Sequence, residues 1–381
     1  MLSTLALHMQ TVAVGWQLYG LTGSALDLGL VGLAQFVPTV ILTLVVGQVA
    51  DRYDRRLVVV LCHVAEAGAT AALALGSMGG WLTRDGILAI LVVIGAARAF
   101  ENPSRASLLP RLVPLPALSR AIASVTSGSQ TARIAGPALG GGLYALGAVT
   151  VYGGVAALYL VSAVLTARVN DAHPAPPRAE VTVESVFSGV AFILRERLLL
   201  GLMSLDLFAV LLGGATALLP IYARDILETG PWGLGLLRAA PAVGALTMSL
   251  TLARWPIERN AGPVLFGSIL VFAVATLGFG VSTSLTLSLA ALGVLGASDL
   301  LSMIIRQSMM QIRTPDPMRG RVSAVHSLFT GTSNQLGEFE SGVLAALFGA
   351  VPAVLLGGVG TLVVVGVWMY RFPELRRFHL A

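Results

Sequence analysis

Residues 47–56 read GQVADRYDRR, and five of these ten residues are charged. On either side run almost uncharged stretches, Leu28 to Val46 and Leu57 to Met78, the second interrupted by Glu66. Hydrocarbon excludes such charges, and water excludes such long apolar segments. A short charged link between two oily runs therefore reads as a loop at a membrane surface.

The rest of the chain agrees. Of its 381 residues 56% are hydrophobic and only 11% charged, and mean hydropathy is +0.84. A soluble protein carries roughly 25% charged residues, so the chain reads as an integral membrane protein. The 43 glycines and 18 prolines fit, since small residues let membrane helices approach and prolines are tolerated there. One cysteine, Cys62, excludes an internal disulfide and any multi-cysteine metal site. No metal-binding or nucleotide-binding motif is visible, and no nucleophile–base constellation, so neither a cofactor nor an enzyme is expected.

A spanning helix needs about 20 apolar residues. Twelve segments qualify: 3–21, 28–50, 57–79, 86–105, 119–144, 148–168, 199–222, 232–254, 263–283, 285–307, 322–347 and 351–370. The first lacks the basic start and cleavage site of a signal peptide. It begins almost at Met1, and a truncated start is expected. With both termini cytoplasmic, the inner loops hold most arginines, including Arg52, Arg55, Arg56, Arg105, Arg306 and Arg321. The outer loops hold Arg84 and Arg224, and Arg98, Arg133 and Arg238 fall inside spans. This asymmetry fixes the expected orientation. It also accounts for a pI near 9.9 without nucleic acid, because basic loops face the anionic inner leaflet.

The chain repeats weakly at an offset near 201 residues. RASLLPRLVPLP from Arg105 aligns with RQSMMQIRTPDP from Arg306, and the same register pairs Gly136 with Gly337 and Gly141 with Gly342. Parallel repeats of this kind build transporters. The expected plan is all-α and membrane-embedded: a six-helix bundle over 1–168, a linker over 169–198, and a second six-helix bundle over 199–381. Val186, Phe187, Val190, Ile193 and Leu194 predict an amphipathic helix on the inner surface within the linker.

Motifs now sharpen the reading. Gly47-x-x-x-Asp51-Arg52-x-x-Arg55-Arg56 resembles the signature loop of the major facilitator superfamily, with Asp54 where glycine is usual. Gly136-Pro137-Ala-Leu-Gly140-Gly141 resembles the end of the antiporter signature of drug/proton exporters, although Ala123 and Ala132 replace its earlier glycines. AVGWQLYGLTGSALDLGLVGLAQFVP, RAFENPSRASLLPRLVP and RGRVSAV together resemble the efflux branch that includes the enterobactin exporter. The resemblance implies two pseudo-symmetric bundles of the major facilitator fold. It also implies a bacterial inner-membrane location and proton-coupled export of a small amphipathic or anionic molecule, such as a siderophore or drug, with a single chain as the working unit. A proton-coupled importer of a small solute and a non-transporting membrane receptor stand as alternatives.

In the loop, Asp51 can accept N–H groups of a helix N-terminus, and Arg55 can pair with Glu101, forming an inner latch. A purely topological role for these arginines is the alternative. The resemblance places Arg98, Asp206 and Asp299 on cavity-lining spans. Arg133 and Glu338 fall on flanking ones, and Gly136, Pro137, Gly140 and Gly141 at a bending and sealing element. Counting at 1.5 Å per residue puts Asp206 roughly 14 Å deep and Arg133 roughly 20 Å deep. Ionisable groups at such depth are functional candidates.

Asp206 is read as the proton carrier, with Asp299 and Glu338 behind it; a fixed salt bridge is the competing reading. Arg133 binds an anionic substrate, holds a neighbouring acid ionised, or satisfies carbonyls at the proline kink. Arg98 pairs with Glu101 or lines the cavity. Gln10, Trp16 and Gln17 suit a cavity wall. Glu66 reads as protonated against lipid or paired within the bundle, and His8 and His63 as structural.

Overall fold

The computed structural model describes residues 1–169, 183–256 and 260–378; the side chains at 43–45, 47, 48, 50–52, 111, 115 and 183–187 lie outside the described residues. Helices carry nearly all of this chain. They are α1 (Leu2–Thr22), α2 (Ala25–Arg52), α3 (Arg55–Gly79), α4 (Arg84–Leu112), α5 (Leu118–Tyr144), α6 (Ala148–Ala167), α7 (Val183–Arg195) and α8 (Arg197–Leu212). After short 3-10 and π turns around α9 (Leu219–Ile221) follow α10 (Gly230–Arg254), α11 (Ala261–Gly280), α12 (Leu285–Arg313), α13 (Asp316–Phe348), α14 (Ala350–Arg371) and α15 (Pro373–Arg376).

Among the described residues, nine helices are long and apolar enough to cross a membrane. They are α2, α3, α4, α6, α8 with its following turns, α10, α11, α12 and α14. The helices α1, α5 and α13 run for 21, 27 and 33 residues and fall outside that set.

Local chemistry sets the helix ends. Ser24 caps α2 by accepting from Asp27 N, and Thr83 caps α4 by accepting from Gly86 N. Gly23 ends α1 and Gly80 ends α3, both with the positive φ that glycine adopts without steric cost. In the charged link, Asp54 accepts a 2.8 Å bond from Arg56 N and caps α3. The departure from the superfamily glycine thus supplies an N-cap. Arg56 also donates to Val169 O at 2.8 Å, tying the link to the end of α6.

The chain divides into two compact units, Met1–Ala179 with Glu228–Ala239, and Glu180–Leu227 with Ala240–Ala381. In the first, α3 packs along α6 and α4, α2 along α4, and α1 along α5 and α6. Leu18, Leu73, Ile87, Ile94, Tyr152 and Tyr159 fill its core. In the second, α11 packs on α12 and α14, and α13 on α8, around Leu199, Leu205, Ile269, Ile305 and Met309. Outward faces stay apolar: Leu57, Leu61, Val64, Leu75 and Met78 on α3, and Leu160, Val161, Val164 and Leu165 on α6, are exposed. Such stripes are a liability in water and the natural contact for lipid tails.

The predicted linker helix is α7. Ile193 is buried and Val190 packs beside it, whereas Leu194 is exposed. Gly189 abuts the backbone of Arg321, and Arg321 Nη1 donates to Ser188 Oγ at 3.0 Å, so α7 lies on the start of α13.

Candidate functional site

In the second unit, α8, α12 and α13 converge on one acid. Asp206 and Arg306 are both buried, and Arg306 Nη2 stands 2.8 Å from Asp206 Oδ1. The contact is a close ion pair without hydrogen-bond alignment at Oδ1. Thr330 Oγ1 donates to Oδ2 at 3.1 Å. His326, one turn before Thr330 on α13, lies within electrostatic range of both members of the pair. Arg306 corrects the sequence reading, which counted it among the loop arginines; it is 7% exposed on α12.

Asp299 sits two turns earlier on α12 and, with Ser302 and Arg306, lines a cavity of about 20 Å³, room for about one water. Glu338 and Glu340 are half-buried on α13, where Gly337 lets the helix touch the backbone of Val210 and Leu211 at the end of α8.

In the first unit, α5 makes two close approaches through the glycine motif. A Cβ on Gly136 would stand 2.6 Å from His8 Cβ, and one on Gly140 would stand 2.7 Å from Met9 Cα, both on α1. A Cβ on Gly141 would stand 2.9 Å from Gly235 Cα on α10. These distances are shorter than real Cβ contacts, so the glycines permit backbone-to-backbone packing on two faces of the helix that carries Pro137.

Beside that contact, His8 lies within electrostatic range of Arg133, Arg98 and Arg238. Arg133 on α5, Arg98 on α4 and Arg238 on α10 thus each act electrostatically on one point of α1. Arg133 is exposed, and Arg98 Nη1 reaches Gln35 Oε1 on α2 at 3.4 Å.

Gln10 is buried, with no hydrogen-bond partner for its amide among the described residues. Trp16 is half-buried. Gln17 is committed at both ends: its Nε2 donates to Ser77 Oγ at 2.8 Å, and its Oε1 accepts from Tyr152 at 2.7 Å. That amide ties α1 to α3 and α6 and offers little to a ligand.

Glu101 is held by His63 Nε2 at 3.2 Å and by Arg105 Nη1 at 3.1 Å, partners the sequence reading did not pair with it. Arg105 also donates to Ser3 Oγ at 3.0 Å, joining α4 to α1. The surroundings of Gly47 and the side chains of Asp51 and Arg52 lie outside the described residues; Arg55 is half-buried at the start of α3.

Among the described residues, long apolar helices without strands, joined by buried ion pairs and glycine contacts, define a multi-pass helical membrane protein. The model of the family described as transmembrane secretion effector matches residues 1–379, and the chain belongs to that family of major facilitator transporters. The chain is 26% identical over 399 residues to the enterobactin exporter EntS of Shigella flexneri, covering 99% of this chain and 90% of that protein. It is likewise 26% identical over 397 residues to EntS of Escherichia coli O1:K1, covering 99% and 91%. Among solved structures, a bacterial homolog of the human lysosomal transporter Spinster, inward-facing and occupied, superposes with TM-score 0.74 at 13% identity, covering 100% and 98%. The nucleoside transporter NupG superposes with TM-score 0.65 at 16% identity, covering 97% of each chain. These two likenesses carry the fold alone.

Proposed function

We propose that the chain is a proton-coupled exporter of a small anionic or amphipathic molecule across the bacterial inner membrane. Adding α1, α5 and α13 to the nine apolar helices gives twelve spans, read as two six-helix bundles with both termini cytoplasmic and one chain as the working unit. The positive field that Arg98, Arg133 and Arg238 exert at His8 supports the substrate class, because neighbouring cations attract an anion. The likeness to enterobactin exporters supports outward transport, with siderophores and lipophilic drugs as the compounds to try first.

Asp206 is the proposed proton carrier. A proton on its carboxylate cancels the attraction for Arg306, and loss of that proton restores the pair, so α8 and α12 gain two discrete arrangements. Asp299 and Glu338 are second in line. The motif at Gly136, Pro137, Gly140 and Gly141 is the proposed bending and sealing element, and the Gly47–Arg56 link with Glu101 the proposed inner latch.

The test uses inverted membrane vesicles with an acid interior and a panel of siderophores and drugs. Collapse of the gradient by one compound, lost in Asp206→Asn and weakened at least tenfold in apparent affinity by Arg133→Gln, is the expected result. An unchanged Asp206→Asn variant would overturn Asp206 as carrier. An unchanged Arg133→Gln variant would overturn the anion site.

A further inference from the structure

Unit 1 contains a second buried ionic cluster, of which the export reading uses only Glu101, in the proposed latch. His63 and Glu66 stand one turn apart on α3, and Glu101 faces them from α4. All three are buried, Glu66 completely. One imidazole nitrogen and one oxygen of each carboxylate lie within 4.8 Å of one another. His63 Nε2 and Glu101 Oε1 are already 3.2 Å apart. His63 Nδ1 and both carboxylate oxygens of Glu66 have no hydrogen-bond partner among the described residues. Nor does the hydroxyl of Tyr159 on α6, whose ring centroid is 6.3 Å from that of His63.

A fully buried carboxylate without donors is costly, and buried charges are ordinarily paired or coordinate a metal. Arg105 and His63 engage Glu101 and leave Glu66 unmatched. We propose that His63, Glu66 and Glu101 form a binding site for one divalent transition-metal ion. The donor set is one imidazole and two carboxylates, which suits borderline ions such as Zn²⁺ and Co²⁺ better than Ca²⁺ or a soft thiolate-seeking ion. At metal–ligand bonds of about 2.0–2.2 Å, donors around a tetrahedral ion stand roughly 3.4 Å apart. The observed spread exceeds this, so an ion would draw the three side chains together.

Binding requires a neutral His63 and two ionised carboxylates, whose charges balance the ion. Arg98 and Arg105, both within electrostatic range of Glu66, oppose it and temper the affinity. The ion would clamp α3 to α4. No ligand spacing in the sequence announces the site, because its third donor comes from another helix.

The test is a Co²⁺ titration of the chelator-stripped, full-length protein in detergent, read by visible d–d absorption. One saturable, Zn²⁺-displaceable equivalent per chain is expected, at least tenfold weaker in Glu66→Gln and in His63→Gln, and unchanged in the exposed control Asp316→Asn. X-ray absorption at the cobalt edge should show one imidazole nitrogen among oxygen ligands, which decides the matter should either variant fail to fold. No saturable absorption in a chain that melts cooperatively, equal affinity in all variants, or a first shell lacking imidazole would each overturn the proposal. The experiment uses neither gradient nor substrate, so its failure leaves the export reading standing.

Discussion

Each unit buries an acid, and the two solve the same electrostatic problem differently. Asp206 has an arginine at 2.8 Å and a threonine hydroxyl at 3.1 Å. Glu66 has a histidine and a second carboxylate beside it, two arginines acting on it through space, and no donor to either oxygen among the described residues. The first acid is held by a cation the chain itself supplies. The second has no cation in contact with it among the described residues. Burial alone therefore does not tell whether an acid is structural; the identity of its neighbours does.

Parallel substitutions should separate the two sites in metal-free protein. The largest effect is expected from Asp206→Leu, which strands Arg306 in a buried setting and should destabilise unit 2 by about 3–5 kcal/mol, seen as a lower melting temperature in detergent. Combining it with Arg306→Met should recover most of that loss, since an apolar pair of similar volume tolerates burial. A double variant as unstable as the single one would show that the pair has a further partner. Next, Thr330→Val removes a hydrogen bond to a charged oxygen and should cost about 1.5–3 kcal/mol. Glu66→Leu should go the other way, neutral or stabilising by about 1 kcal/mol, because it removes a buried polar group that nothing satisfies. A large loss there would mean that Glu66 has a strong partner even without metal. Smallest is Arg105→Gln: its side chain is 42% exposed, so solvent screens the pair with Glu101, and a change below about 1 kcal/mol is expected.

The membrane class, the helical runs and the glycine motif were legible in the sequence because each depends on local composition or spacing. Depth counted from the nearest loop singled out Asp206 correctly as a buried acid. Its partner escaped, because Arg306 ends an apolar run and looked like a loop residue, while α12 extends past it to Arg313. His63 looked isolated for a similar reason: its carboxylate partner stands 38 residues away, and only the packing of α3 on α4 brings them together. Gln17 has packing partners that the sequence did not announce. A polar residue in an oily helix suggests a ligand contact, but here Ser77 and Tyr152 absorb both ends of the amide. Asp54 was flagged as an exception to the signature, and its role as an N-cap follows from side-chain chemistry that the motif does not encode.

The division inside α10 bears on how the protein is made. Unit 1 includes Glu228–Ala239, yet Glu180–Leu227 belongs to unit 2. On the ribosome the first unit therefore cannot be completed when its own long N-terminal stretch has emerged. It must wait while the opening of the second unit is synthesised, including α7 and α8. Domains that fold as units generally do so in order of synthesis, but this arrangement interleaves them. Asp206 is thus translated before the last segment of the first unit, and a full hundred residues before its own arginine.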